Sequence, residues 1–434
     1  MSGILQIKNV RLFVAFRVLF NNRFYYPVFT VLFVDYGLTI EEFSLLNTIW
    51  ALTVVAAEVP SGALADAVGR KRLLVAAAVL TICELALIAF APLGDTSFLF
   101  SLFLISRILS GLADAAASGA DEAIAYDSLT AVGLATAWPK VLSVQMRLTS
   151  LMFVISSISG AWLYDPAAMN GLLSFFGLAP NLAQTDTMRF PMYATLALAL
   201  VNLPVTLALC EPARPRASHS FRRQLRRGFA NIVRAGRWII TTRLAMAIIL
   251  IGMAHDHILR LTATLTSQYF RLCHLSESRF GLINAAVSVI GLFAPKLAEW
   301  LVVRFRLGDN WLILALISLS GLFLLSGFQL WPGIIGVLLT FMGMMLTSFF
   351  TSHYLNAISA GEIRATVLSF KGMIFNLGYG LAGILFALAL RAGRQTVGAE
   401  VAFQSAVMFF PWYLLLLLLA LVPLCLSWTR AIGK

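Results

Sequence analysis

Apolar runs of roughly 20 residues recur along the chain, each long enough to cross a bilayer as a helix. Short polar breaks separate them, and the spans fall near residues 11–34, 42–61, 73–92, 98–124, 139–163, 190–210, 242–269, 279–302, 310–328, 331–355, 365–390 and 405–428. The pattern predicts an all-α, polytopic membrane protein with twelve transmembrane helices. The first run carries Arg17, Asn21, Asn22 and Arg23 and lacks a small-residue cleavage site, so it does not read as a cleavable signal peptide.

The longest polar interruption divides the spans six and six. This gives two helical domains, 1–210 and 242–434, joined by a basic linker at 211–241. The linker's Pro-containing start reads as a loop. Leu225, Phe229, Ile232 and Val233 then recur at helical spacing among arginines, which suits an amphipathic helix on an anionic inner leaflet. The halves also repeat one another. Phe43, Leu45 and Asn47 correspond to Phe280, Leu282 and Asn284 at an offset of 237, and Leu64-Ala65-Asp66 to Leu297-Ala298-Glu299 at an offset of 233. Two pseudo-symmetric six-helix bundles are an architecture of secondary transporters.

Composition narrows the function. Of 434 residues, 60% are hydrophobic and 12% charged, about half the charged fraction of a soluble domain. The net charge of +12 follows from topology. Lys8, Arg11, Arg70, Lys71, Arg72, Lys140, nine arginines between 214 and 243, Arg304, Arg306, Arg364, Arg430 and Lys434 fall on one side of the membrane. Arg189, Arg271, Arg279, Arg391 and Arg394 fall on the other. The positive-inside rule places both termini in the cytoplasm, and the charge excess does not argue for nucleic acid. Cys83, Cys210, Cys273 and Cys425 form neither a disulfide framework nor a metal-ligand spacing. Cys83 and Cys425 read as packing residues within spans. No cofactor motif or nucleophile–base pair is present, and an enzyme is not expected.

Charges cluster at SGALADAVGRKRLL, residues 61–74, between the second and third spans. This stretch resembles the loop signature of the major facilitator superfamily, Gly-x-Leu-x-Asp-Arg-x-Gly-Arg-Lys/Arg, with Ala67 where an Arg is common. The resemblance implies a cytoplasmic gate built from Gly62, Asp66, Gly69 and Arg70, completed by Asp127 at the end of span 4; a solvated positive-inside loop is the other reading, which accounts for Arg72 but not for the Gly-Asp-Gly spacing. Independently of family, the two glycines permit close approach and a tight turn, and Asp66 and Arg70 are able to form charge-assisted bonds to facing helices. Arg364-Ala-Thr-Val-Leu-Ser369 also resembles a segment of that superfamily.

Ionisable residues within spans face a protein interior or a wet cavity. They concentrate in spans 1, 4, 5, 7, 8 and 11, the cavity-lining positions implied by the resemblance. Glu84 in span 3 is the exception and reads as paired with a neighbouring helix, with a coupling role as the other reading. In span 4, Arg107, Gly111, Asp114, Ser118 and Asp121 follow spacings of 4, 3, 4 and 3, which predicts one helical face. Arg107-Ile-Leu-Ser110-Gly111 resembles the family's Arg-x-x-Gln-Gly motif, associated with proton coupling. The proton-coupling candidates are Asp114, Asp121, Arg107 and Asp256, with static ion pairs as the competing reading. Glu122 points about 100° away from Asp121 and is expected to pack elsewhere. Span 5 offers Val154-Ile-Ser-Ser-Ile-Ser-Gly160, which lacks the Pro of the family's drug/proton antiporter signature. In span 7, His255 and His257 diverge by about 200° and do not chelate one ion locally.

Arg23 and Arg260 share the 237 offset. They resemble the paired arginines of the superfamily's organophosphate antiporters, which implies that they bind an anion. Asp256 lies one turn before Arg260 and is positioned to neutralise it instead, whereas Arg23 needs a partner from another helix or from substrate, with Asp114 as a candidate. Asn22, Tyr26, His257 and Lys371 complete the expected substrate site. The expectation is a monomeric, proton-coupled transporter of a small organic anion in the plasma membrane, a bacterial inner membrane, embedded among anionic inner-leaflet lipids. The alternative is a proton-driven exporter of amphipathic or cationic drugs.

Overall fold

The computed structural model describes residues 4–179, 181–211 and 221–430, without the side chains of 361, 362 and 422–430. The linker's start at 212–220, Lys434 and the side chains of Cys425 and Arg430 lie outside the described residues. The described chain is helical. Helices α1 (Lys8–Asn21), α2 (Phe29–Asp35), α3 (Ile40–Val68), α4 (Arg70–Ala89), α5 (Thr96–Ala117), α6 (Ala120–Ala131), α7 (Trp138–Tyr164), α8 (Pro166–Phe175), α9 (Gln184–Thr187) and α10 (Phe190–Leu207) form the first series. After the linker come α11 (Phe221–Thr241), α12 (Arg243–Thr264), α13 (Thr266–Leu272), α14 (Glu277–Arg304), α15 (Leu307–Ser326), α16 (Leu330–Ile358), α17 (Gly361–Val397) and α18 (Ala399–Arg430).

Among the described residues, 11 helical stretches are long and apolar enough to cross a membrane. The count differs from twelve because the first span is not one helix. It stops at Asn21, unwinds through Asn22–Tyr25, makes a single 3-10 turn and resumes as α2. The freed backbone groups still require hydrogen bonds at membrane depth. Asn22 Nδ2 donates to the Val18 carbonyl at 2.7 Å, and the Phe24 N–H donates to Thr195 Oγ1 at 3.0 Å. A carbon added at Gly160 of α7 would lie 1.8 Å from the Phe24 carbonyl oxygen. Only glycine lets α7 pass this close to the opened backbone.

The expected continuous span 4 is also interrupted. Between α5 and α6 the chain turns at Ser118 and Gly119, where Gly119 has a φ of +70°. The spacing rule therefore fails beyond residue 117, because its rotation per residue assumes an unbroken helix. Ser118 and Asp121 do not continue the Arg107–Gly111–Asp114 face. The amphipathic helix expected in the linker is present as α11.

Packing divides the chain into two compact units. The first comprises Met1–Leu38, Ile49–Gly228 and Ser276–Ala285, and the second Thr39–Thr48, Phe229–Leu275 and Ala286–Lys434. In the first, α4 packs along α5 and α10, and α1 along α6, α7 and α10. Its core includes Phe16, Phe20, Leu74, Ala113, Ala117 and Ile124. In the second, α12 is surrounded by α16, α17 and α18. The internal repeat falls on the start of α3, within Thr39–Thr48 of the second unit, and on the start of α14, within Ser276–Ala285 of the first. Asn47 Nδ2 donates to the Phe43 carbonyl at 2.9 Å, and Asn284 Nδ2 to the Phe280 carbonyl at 3.1 Å. The same contact, one turn back within the helix, thus recurs at the 237-residue offset.

Candidate functional site

Each unit holds its own set of buried charges. In the first, unwinding after Asn21 places Arg23 on non-helical backbone, with 5% of its surface exposed. The nearest carboxylate to its guanidinium is Glu84 of α4, at 4.0 Å, and it stacks over Phe20 at 5.9 Å. Asp114, the partner expected from sequence, interacts with Arg23 only through its field. Its Oδ2 instead accepts the Trp50 indole N–H at 3.0 Å. Arg107 is buried between aromatic faces, 5.4 Å from the Phe29 ring and 5.9 Å from that of Trp50. Trp50 therefore joins α3 to both functional candidates of α5. Tyr26 stands at the edge of this set, against Tyr25 and Phe153.

Behind Arg23, between α1, α4 and α10, lies a cavity of about 10 Å3, room for about one water. Asn22 Oδ1, Thr81 Oγ1 and Asn202 Oδ1 line it and are buried without a hydrogen bond.

Asp121 belongs elsewhere. Arg17 of α1 pairs with both of its carboxylate oxygens, with Nη2 at 3.1 Å from Oδ1, and reaches Glu122 Oε1 at 2.9 Å. The break at Gly119 turns Asp121 and Glu122 toward one arginine, and the one-face stripe with Asp114 is not formed.

The signature loop is held by residues from three regions. Arg70 Nη1 donates to Asp127 Oδ2 at 3.0 Å. Glu211, the first linker residue, accepts from the Arg70 N–H at 3.1 Å and the Lys71 N–H at 2.7 Å. It closes the positive end of α4 with a carboxylate, the favoured arrangement at a helix N-terminus. Gly69 adopts a φ of +107° directly beneath that carboxylate. Gly62 is exposed, and Asp66 makes no ion pair or hydrogen bond among the described residues. The expected contact of Asp66 with a facing helix is absent, and Glu211 holds the loop in its place.

In the second unit Arg260 is clasped by three groups. Its Nη2 lies 2.5 Å from Asp256 Oδ2, its Nη1 donates to Asn376 Oδ1 at 2.7 Å, and its guanidinium sits over Tyr379 at 5.3 Å. Lys371, on the same helix as those last two residues, donates to Ser352 Oγ at 2.9 Å, lies 5.6 Å from the centre of the Phe375 ring and makes no ion pair among the described residues. His257 faces away from this set. Its Nδ1 pairs with the Met253 carbonyl and its Nε2 with the Tyr413 hydroxyl at 2.9 Å. His255 is fully buried beside Trp311, so the two histidines diverge as their spacing predicts. Among the described residues no cluster of His, Cys, Asp and Glu is suited to a metal.

Sequence reasoning missed Trp50, Asn376 and Glu211. The Asn376 and Tyr379 pair lies in Asn376-Leu-Gly-Tyr-Gly380, where glycine spacing was a usable signal. Glu211 had none beyond its place at the linker's start.

A helical chain that crosses the membrane many times and buries acids and arginines within its spans has the makings of a solute transporter. Residues 12–383 match the model of the Major Facilitator Superfamily, and the chain belongs to that family of transporters. It is not an enzyme. A search of curated proteins finds no match. Solved structures share its fold. The nucleoside transporter NupG aligns over 98% of this chain and 99% of its own, with a TM-score of 0.70 at 15% identity. A bacterial homolog of the human lysosomal transporter Spinster covers 99% and 98%, with a TM-score of 0.67 at 14% identity. The D-xylose-proton symporter covers 95% and 96%, with a TM-score of 0.62 at 15% identity. At these identities the likeness is one of fold.

Proposed function

We propose that the protein carries a small organic anion across the plasma membrane by alternating access, coupled to protons. The observation behind the anion is the charge balance around Arg260. Among the described residues Asp256 is the carboxylate that pairs here, and Arg260 holds its Oδ2. Lys371 has a serine hydroxyl and the face of Phe375, and no paired carboxylate among the described residues. An unneutralised charge within a span is costly, and an anionic ligand offsets that cost. Guanidinium and ammonium groups suit carboxylate or phosphate, whereas a cationic drug would meet repulsion here. Arg23, Asn22 and Tyr26 are the corresponding candidates in the first unit. Proton coupling rests on the carboxylates buried there, Asp114 among them, with Arg107 nearby. Asp256 is the corresponding candidate in the second unit, with His257 directed to the Tyr413 hydroxyl.

The loop at 62–72 serves as the cytoplasmic gate in this reading, with Arg70, Asp127 and Glu211 as its closing contacts. Both termini lie in the cytoplasm, in accord with the positive-inside bias. Exposed Phe229, Val233 and Ile240 share α11 with exposed Arg222, Arg226, Arg234 and Arg237, which supports α11 as a helix resting on anionic lipids. Each unit carries its own charge set, so the reading needs no second copy of the chain. The membrane is a bacterial inner membrane in this proposal.

Thermal stabilisation of purified protein by carboxylates, organophosphates, neutral sugars and cationic drugs tests it. A ligand at about 100 times its Kd adds about 2.7 kcal/mol. Carboxylates or organophosphates should stabilise, and Lys371→Gln or Arg260→Gln should weaken them about 10-fold or more. Stabilisation by neutral or cationic compounds alone would overturn the reading, as would wild-type anion affinity in both variants.

A further inference from the structure

Four buried acids are candidates for proton coupling, and three have committed partners. Asp121 is held by Arg17, Asp256 by Arg260, and Asp114 by the Trp50 indole. Glu84 differs. It is fully buried, and no hydrogen bond of normal geometry reaches either carboxylate oxygen, although Ser110 of α5 is nearby. Its closest cation, Arg23, stands at 4.0 Å. That is about 1 Å beyond the 2.7–2.9 Å of a charge-assisted bond. The guanidinium of Arg23 likewise makes no hydrogen bond among the described residues. It sits on unwound backbone beside a small polar cavity, so it has room to shift that a side chain locked in a helix lacks.

We propose that Glu84 is the proton-binding carboxylate of the transport cycle, and that it competes with the transported anion for Arg23. The inference rests on the anion reading given above. Without substrate, Arg23 and the ionised Glu84 neutralise one another. When an anion engages Arg23, Glu84 loses its counter-charge in a low-dielectric site and takes up one proton from water, its carboxylate becoming a neutral carboxyl. Release of the anion returns Arg23 to Glu84 and expels that proton. One anion and one proton move together, and the site gains no net charge at either stage.

The other groups facing Glu84 do not perform this exchange. From the segment after α1 come Arg23 and the phenols of Tyr25 and Tyr26, and from α5 come Arg107 and Asp114. Arg107 lies between Phe29 and Trp50, and Asp114 is already hydrogen-bonded. Along α10, residues 190–207, Tyr193 is the only ionisable side chain. From α6, Asp121 and Glu122 are taken by Arg17, and Asp127 by Arg70 near the start of α4, with Tyr126 exposed beside Trp138. The span-3 acid that broke the sequence pattern thus becomes the coupling site.

The test has two arms on full-length protein in liposomes. Infrared difference spectra between pH 5 and 9, with sn-glycerol 3-phosphate bound minus ligand-free, should show a protonated-carboxyl band in the wild type that Glu84→Gln removes and Asp114→Asn retains. Binding is then measured with benzoate and sn-glycerol 3-phosphate as probes. Wild-type affinity for the bound probe should rise about 10-fold per unit fall in pH over the titrating range, the linkage expected for one proton per anion. Glu84→Gln should bind that probe with affinity independent of pH, and Arg23→Gln should bind it weakly at every pH. Retention of the band or of the pH slope in Glu84→Gln overturns this proposal while leaving anion transport standing. Failure of both probes to bind the wild type overturns the anion reading and this proposal with it. Thermal unfolding of each variant near the wild-type temperature excludes misfolding as the cause.

Discussion

Gly160→Ala should be among the most damaging single-methyl additions in the chain. The added carbon would lie 1.8 Å from the Phe24 carbonyl oxygen, 2.6 Å from its carbon and 3.0 Å from Phe24 Cα. All three are backbone atoms, so no side chain is available to rotate away. Relief requires α7 to move or the Asn22–Tyr25 segment to close, and the latter would displace Arg23 and the Phe24–Thr195 hydrogen bond. Overpacking a core typically costs 1–3 kcal/mol, and a rigid clash of this depth belongs at or above the upper end, about 3 kcal/mol. Gly171→Ala is the matched control. It lies within α8 with nothing within 4 Å of the added carbon, and the gain in helix propensity should make it neutral or stabilising by up to ~1 kcal/mol. Thermal unfolding of detergent-purified protein, followed by size-exclusion fluorescence, reads both. A Gly160→Ala melting temperature equal to that of wild type would refute the close approach of α7 to the opened backbone.

Glu211→Ala should destabilise the start of α4 by about 1 kcal/mol, the usual worth of a helix N-cap, with faster amide exchange at Arg70 and Lys71 as the readout; unchanged exchange rejects the cap. Arg17→Ala should cost roughly 3 kcal/mol because it strands Asp121, and Asp121→Asn in the same chain should recover much of the loss; simple additivity in thermal unfolding would contradict the pair. Trp50→Phe should cost about 1.5 kcal/mol by removing the donor to Asp114, and little once Asp114→Asn is present. Equal effects in both backgrounds would show that the indole does not serve that carboxylate.

The spans were legible because an apolar run of bilayer length has few other uses. The linker helix was legible because Leu225, Phe229 and Ile232 keep helical period among arginines. Arg70 and Asp127, singled out as parts of one cluster, do meet. The breaks were not legible, because the polar residues at Asn21–Arg23 and Ser118–Glu122 read as functional groups on continuous helices, and periodicity assumes continuity. For that reason Asp121 was grouped with Asp114 when it belongs with Arg17. Charge pairing was misjudged in the same way. Sequence offered Asp114 to Arg23, but Trp50, 64 positions before Asp114, occupies that carboxylate. Contacts across helices depend on rotation and depth, which one-dimensional spacing does not specify. Glu211 shows the same limit at a loop, where nothing local announces that a carboxylate will close a helix begun 141 residues earlier.

The opened first span has a consequence for how the protein is made. The Phe24 N–H finds its partner in Thr195, 171 residues later. At the 5–20 residues per second of synthesis, that hydroxyl emerges about 10–30 s after residue 24. During this interval the nascent segment faces lipid with no hydrogen bond for an unwound amide, and a continuous helix is then the only form that satisfies its backbone. The break is therefore an event of late assembly, installed when α10 docks against α1. Nascent chains arrested before residue 195 should carry an uninterrupted first helix, with Arg23 turned toward whatever surrounds it.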